Sequence, residues 1–93
     1  MFSWSTSRET TLHTRKVKVE LSVLSHEGID ESRLESFADA LEARGLIVAT
    51  DAKTPREAAQ EVCRCLRNAF PEAEIVECAI LIDRTRIACS LER

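Results

Sequence analysis

The chain has 93 residues, of which 44% are hydrophobic and 31% charged, and its formal net charge is -3 at pH 7. These values are typical of one globular domain and exclude a wholly disordered chain. The basic groups form no concentrated patch, which argues against binding to duplex nucleic acid. No apolar run approaches the roughly 20 residues that span a bilayer, and the N-terminus lacks the apolar core of a secretory signal. We therefore expect a soluble, cytoplasmic protein with reduced thiols and no membrane partner.

Residues 1–14 are rich in Ser and Thr and show no apolar periodicity. We predict that they form a flexible N-terminal arm, anchored at most by Phe2 and Trp4. Residues 15–93 then form a single α/β sandwich domain. Its first element begins near Lys16, where valine and leucine alternate with charged or polar residues, the pattern of a half-buried strand.

A first helix is predicted over residues 31–44. Asp30 is placed to cap its N-terminus, and Ile29 and Leu34 have the spacing of a hydrophobic staple. Gly45 follows the last helical residue, as is common where a helix ends.

The short apolar run at residues 46–50 predicts a brief strand. A second helix follows from Thr54 to about Ala69, because Thr54, Pro55 and Glu57 form a capping sequence with proline at the first helical position.

The C-terminal third predicts a hairpin. Residues 73–82 are nearly all apolar, Asp83 and Arg84 form a turn, and residues 85–91 alternate again. A turn at these two residues places Cys78 opposite Cys89.

Together these elements predict an α+β fold, a two-layer α/β sandwich of ferredoxin-like type in the order β-α-β-α-β-β. Two helices would pack on one face of a sheet of three or four strands. Right-handed crossovers between neighbouring parallel strands would put the helices on opposite faces of the sheet, but the first strand has one polar, solvent-exposed face. Two possibilities therefore stay open: either the strand at 46–50 is irregular, or residues from Thr10 to Thr14 extend the sheet.

The four cysteines are interpreted as small apolar core residues, although a redox or metal role is the alternative. Successive helical side chains are about 100° apart, so Cys63 and Cys65 point in widely different directions and cannot easily hold one ion. We predict four free thiols, no metal and no cofactor.

No catalytic motif is present, so we do not expect an enzyme. The weak candidate for a site is the loop at His26 and Glu27, where a histidine adjoins a carboxylate after the first strand.

The strand at 73–82 is apolar on both faces, and a chain of this size has no third layer to cover the second. The side chains of Ile75, Ala79 and Leu81 therefore predict an interface. We expect a small non-enzymatic interaction or assembly module that forms a homo-oligomer or binds another protein. One alternative is a nucleic-acid-associated or regulatory domain that uses the basic N-terminal arm. A second is a small enzyme with a site near His26.

Overall fold

The computed structural model describes residues 1–46 and 54–93. Within these ranges the chain forms two strands, two helices and two further strands, in the order β-β-α-α-β-β. They are β1 (Phe2–Leu12), β2 (Arg15–Ser25), α1 (Glu31–Arg44), α2 (Pro55–Ala69), β3 (Ile75–Ile82) and β4 (Thr85–Glu92). All four strands form one antiparallel sheet in the order β1-β2-β3-β4. The predicted α+β class is confirmed.

The ferredoxin-like order β-α-β-α-β-β is not confirmed. Both helices lie in the single connection between β2 and β3, and these two strands are antiparallel neighbours. The sheet therefore contains no parallel crossover in the described residues. The strand predicted at residues 46–50 lies outside the described part of the chain, apart from Leu46, which is buried.

The N-terminal segment is where sequence and structure differ most. Residues 2–12, expected to be a flexible arm, form edge strand β1, which pairs with β2 from Phe2 opposite Ser25 to Leu12 opposite Arg15. The arm prediction is therefore wrong for these residues. The sequence shows no apolar–polar alternation here, because the inner face of β1 carries polar Thr6, Arg8 and Thr10 as well as Trp4 and Leu12. The N-terminal segment does extend the sheet, over Phe2–Leu12 rather than from Thr10 to Thr14. The other possibility, an irregular strand at 46–50, lies outside the described residues apart from Leu46.

One hydrophobic core lies between the helices and one face of the sheet. Alternate residues of β2 and β3 contribute to it, as do the buried faces of both helices, so both helices pack on the same side. Its largest fully buried apolar side chains are Leu21, Leu34, Leu46, Leu66, Ile80, Val19, Val23, Val62 and Val76.

The predicted helix caps are present. The Asp30 side chain accepts a hydrogen bond from the Ser32 backbone N–H at 2.9 Å, and the Thr54 hydroxyl accepts one from Glu57 N–H at 3.2 Å. Gly45 closes α1 by donating its N–H to Leu41 O at 3.0 Å. These contacts satisfy backbone groups that a helix end leaves free.

Each hairpin has a two-residue turn, and the first residue of each turn has a positive φ. The angle is 60° at His13 and 56° at Asp83. This conformation suits the twist of two-residue hairpins. The predicted turn at Asp83 is confirmed, and with it the pairing of Cys78 with Cys89. The hairpin at His13 was not anticipated from the sequence.

Candidate functional site

The face of the sheet opposite the helices is the open face. Within the described ranges no helix or strand covers it. The predicted interface residues on β3 all lie there: Ile75 and Leu81 are half-buried, whereas Ala79 is buried. Among residues 1–46 and 54–93, Ala79 is the one buried apolar residue outside the core cluster, as expected for a side chain on the opposite face.

Ion pairs between strands explain why Ala79 is buried. The Arg86 guanidinium on β4 lies 3.0 Å from a carboxylate oxygen of Glu77 on β3 and 3.3 Å from one of Glu20 on β2. Glu20 is the direct cross-strand neighbour of Ala79. Hydrogen bonds to Glu77 and Glu20 raise the pKa of Arg86 above its usual value. The long side chains of this cluster thus surround the small alanine.

Besides the charged residues Glu9, Lys16, Lys18 and Glu92, the rest of the open face carries small and apolar side chains. Leu24 is half-buried and pairs with Ile75, so two aliphatic side chains lie together at one end of the sheet. Around them the strands carry side chains short enough to let another surface approach closely; they are Ser3, Ser5, Ser7, Ser22, Ala88 and Ser90.

The loop proposed as a weak catalytic candidate contains a wide acidic depression. His26 Nε2 is 4.0 Å from Glu74 Oε1, and Glu74 is also 3.6 Å from an Arg93 nitrogen. His26 and Glu27 line an opening of about 340 Å³ together with Glu74, Arg93 and Glu72. His26 is 68% exposed, and 4.0 Å exceeds hydrogen-bond distance, so the imidazole is held in no fixed orientation by this contact.

Three of the four cysteines meet beneath α2. Cys63 and Cys78 are buried, Cys89 is half-buried and Cys65 is exposed. The Cys63 thiol donates to Cys89 O at 3.4 Å and to Val76 O at 3.5 Å. The sequence predicted the pairing of Cys78 with Cys89 but not the approach of Cys63, which depends on how α2 packs on the sheet.

Burial determines the chemistry of these thiols. It raises the pKa of both Cys63 and Cys78 above the usual value, because the thiolate loses its hydration. Neutral buried thiols are poor nucleophiles and poor metal ligands. Among the described residues no group of three or more His, Cys, Asp or Glu side chains is placed to hold a metal ion.

The basic residue at the centre of β1 is paired. Arg8 hydrogen-bonds to Asp39 and Glu35 on α1, and its Nη1 lies 3.2 Å from a Glu42 oxygen. The Trp4 indole N–H also donates to Glu35, at 3.0 Å. The hydrogen bond to Asp39 is the main cause of the raised pKa of Arg8. These contacts attach α1 to the edge strand.

Comparison with protein-family models, with curated proteins and with solved structures found no match. In the described residues, no helix is both long and apolar enough to cross a membrane.

Proposed function

We propose that this protein is a small non-enzymatic assembly module that self-associates, with the open face around Ile75, Ala79 and Leu81 as a contact surface. The observation that carries the proposal is the uncovered face of a four-stranded sheet on which aliphatic and small side chains lie together. A solvated sheet face usually alternates apolar-in with polar-out, and β3 departs from that pattern.

A second copy of the chain fits such a face. Two sheets pack about 10 Å apart when their side chains interdigitate, and small residues favour close approach. A twofold axis lets the same patch contact itself, which is the commonest arrangement of soluble homo-oligomers. The Arg86 cluster can stay paired within each copy, so association need not bury an unpaired charge.

The two other candidate functions have weaker support. A nucleic-acid role would use the basic N-terminal segment, whose Arg8 already contacts three carboxylates. An enzymatic role near His26 would need an oriented acid–base pair, whereas the exposed imidazole faces a carboxylate at 4.0 Å.

The proposal is tested with Leu81→Glu. Lys18 and Arg86 flank Leu81 on the neighbouring strands, so a glutamate there has cations beside it and the fold should persist. Light scattering should show a dimer or larger assembly for the unmutated chain and a lower molar mass for Leu81→Glu. Ala40→Glu, an equal charge change at an exposed position of α1, is the control and should leave the assembly intact. A monomeric unmutated chain would rule out self-association.

A further inference from the structure

The outer edge of β4 presents the second unpartnered feature of the sheet. We propose that β4 pairs antiparallel with β4 of a second copy, which joins the two sheets into one continuous sheet. This inference rests on the proposed self-association, and names the strand edge as an interface distinct from the open face.

The two edges of the sheet are not alike. Natural sheets protect edges with prolines, bulges or inward-pointing charges. β1 carries such a charge, because Arg8 lies on the helix side of the strand within its acidic cluster. β4 has the sequence TRIACSLE, with no proline, no glycine and no charge on its inner face. Among the described residues, β4 is therefore the edge strand that lacks these barriers to pairing.

The position of the turn determines which backbone N–H and C=O groups of β4 bond to β3 and which point outward. In a two-residue hairpin the residues flanking the turn exchange backbone hydrogen bonds, here Ile82 and Thr85, and bonded pairs then alternate. Arg93 N–H donates to Glu74 O at 2.8 Å, in phase with this alternation. The odd-numbered residues of β4 thus bond to β3. The N–H and C=O groups of the even-numbered residues point outward, and these residues are Arg86, Ala88, Ser90 and Glu92.

One register of the pair suits both the outward backbone groups and the side chains of β4. If the twofold axis passes at Cys89, Arg86 lies opposite Glu92 of the partner subunit, and Ala88 lies opposite Ser90 of the partner subunit. Both pairs join residues whose backbone groups point outward, so both can exchange hydrogen bonds. Shifting the axis to Ala88 or to Ser90 keeps the hydrogen bonds but no longer places Ile87 opposite Leu91 of the partner subunit.

The inner face of β4 fits the same register. Ile87, Cys89 and Leu91 are each only half-buried, although Cys89 and Leu91 pack against the core. In the proposed pair Ile87 lies opposite Leu91 of the partner subunit, so each strand supplies the apolar neighbour that the other lacks. The contact extends both the hydrogen-bond ladder and the apolar layer below it.

The test replaces an outward N–H by proline. Ser90→Pro removes a donor to the partner while leaving the β3 ladder intact, since proline is tolerated on edge strands where its nitrogen faces solvent. Ser5→Pro is the matched control, because the same alternation from the turn at His13 gives Ser5 an outward N–H on β1. Because both serines lie on the open face, both prolines are introduced into the Leu81→Glu variant, in which the open-face contact is already removed. Sedimentation equilibrium measures the dissociation constant of the remaining contact, and circular dichroism checks that each variant is folded.

We expect Ser90→Pro to raise the dissociation constant roughly tenfold or more, since twofold symmetry removes two hydrogen bonds at once, and Ser5→Pro to leave it unchanged. Should both prolines weaken association, β1 would be pairing with β4 and the inference would be overturned. It would also be overturned if Leu81→Glu alone gives a monomer, because β4 pairing should persist in that variant; self-association through the open face would then still stand. A monomeric unmutated chain would overturn both proposals.

Charge reversal supplies an answer even if the proline variant does not fold. Glu92→Arg places two arginines opposite each other in the proposed register and should weaken association. Adding Arg86→Glu, together with Glu20→Gln and Glu77→Gln to remove the carboxylates that Arg86 pairs with in its own chain, restores opposite charges and should recover it. No recovery in this folded combined variant contradicts the register centred on Cys89.

Discussion

At the residue scale, Gly45 shows how closely β1 and α1 approach. Its φ of 75° and ψ of 168° fall in a region that essentially only glycine occupies, and a Cβ there would lie 2.7 Å from the Thr11 hydroxyl oxygen. We expect Gly45→Ala to lower the free energy of unfolding by about 1–3 kcal/mol. Gly28→Ala is the matched control, because a Cβ at Gly28 has no atom within 4 Å. Urea denaturation of both variants measures the difference, and equal losses would refute the close approach.

The thiols give a second residue-scale prediction. Cys65 is exposed and the other three are partly or fully buried, so a thiol reagent should label Cys65 first in the native protein and all four after denaturation. Fast native labelling of Cys63 or Cys78 would contradict the packing of α2.

The raised pKa of Cys63 also predicts a pH dependence. In the unfolded chain this thiol ionises near its usual value of 9.0, whereas burial keeps it protonated to higher pH in the folded state. The contribution of this thiol to the free energy of unfolding is fully present below pH 9.0 and is lost as the pH rises through the thiol's pKa in the folded state. Unfolding free energies measured between pH 8 and alkaline pH should therefore fall, and less steeply for Cys63→Ala. Equal slopes for both chains would show that Cys63 is not desolvated.

At the element scale, β1 determines the expected effect of an N-terminal truncation on stability. Removing residues 1–12 would delete an entire paired strand together with buried Trp4 and Leu12, and leave β2 as a bare edge. We expect loss of cooperative thermal unfolding, measured by circular dichroism. A truncated chain that melts near the temperature of the full chain would restore the flexible-arm interpretation.

A single substitution tests the same strand. Trp4 is 7% exposed and donates its indole N–H to Glu35, so Trp4→Ala should cost roughly 3 kcal/mol or more. Ser5→Ala, one position along on the open face, should change stability little. Chemical denaturation compares the two, and a small effect of Trp4→Ala would show that β1 contributes little to the core.

The elements differ in how far sequence could predict them. The sequence of α2 has an N-cap, a proline at the first helical position and a periodic apolar face, so the helix was predicted. The sequence of the last hairpin alternates on both sides of a two-residue turn, so the hairpin was predicted together with the pairing of its strands. β1 was missed because its inner face contains Arg8, which is half-buried and whose carboxylate partners lie 27 or more residues away in sequence. Such a partner becomes visible only when tertiary structure is known.

The candidate surface was predicted in part. Alternation along β3 placed Ile75, Ala79 and Leu81 on one face, and the structure has them there. The burial of Ala79 beneath Arg86 could not be foreseen, because it depends on β2 and β4 lying on either side of β3. The approach of Cys63 to Cys89 likewise depends on the packing of α2.

At the scale of the whole molecule, both helices lie on one side of a four-stranded sheet, which leaves an open face and an unprotected β4 edge. Each can be completed by another copy of the chain, and neither is completed within the described residues. The open face uses side chains and the β4 edge uses outward backbone groups, but Ser90 belongs to both, so the two surfaces are separated by combining Leu81→Glu with the proline variants.

The central claim is self-association, and the molar mass in solution tests it most directly. Light scattering coupled to size exclusion, at tens of micromolar, should give an integral multiple, two or greater, of the 10.4 kDa chain mass. A mass of 10.4 kDa across that concentration range would contradict the account.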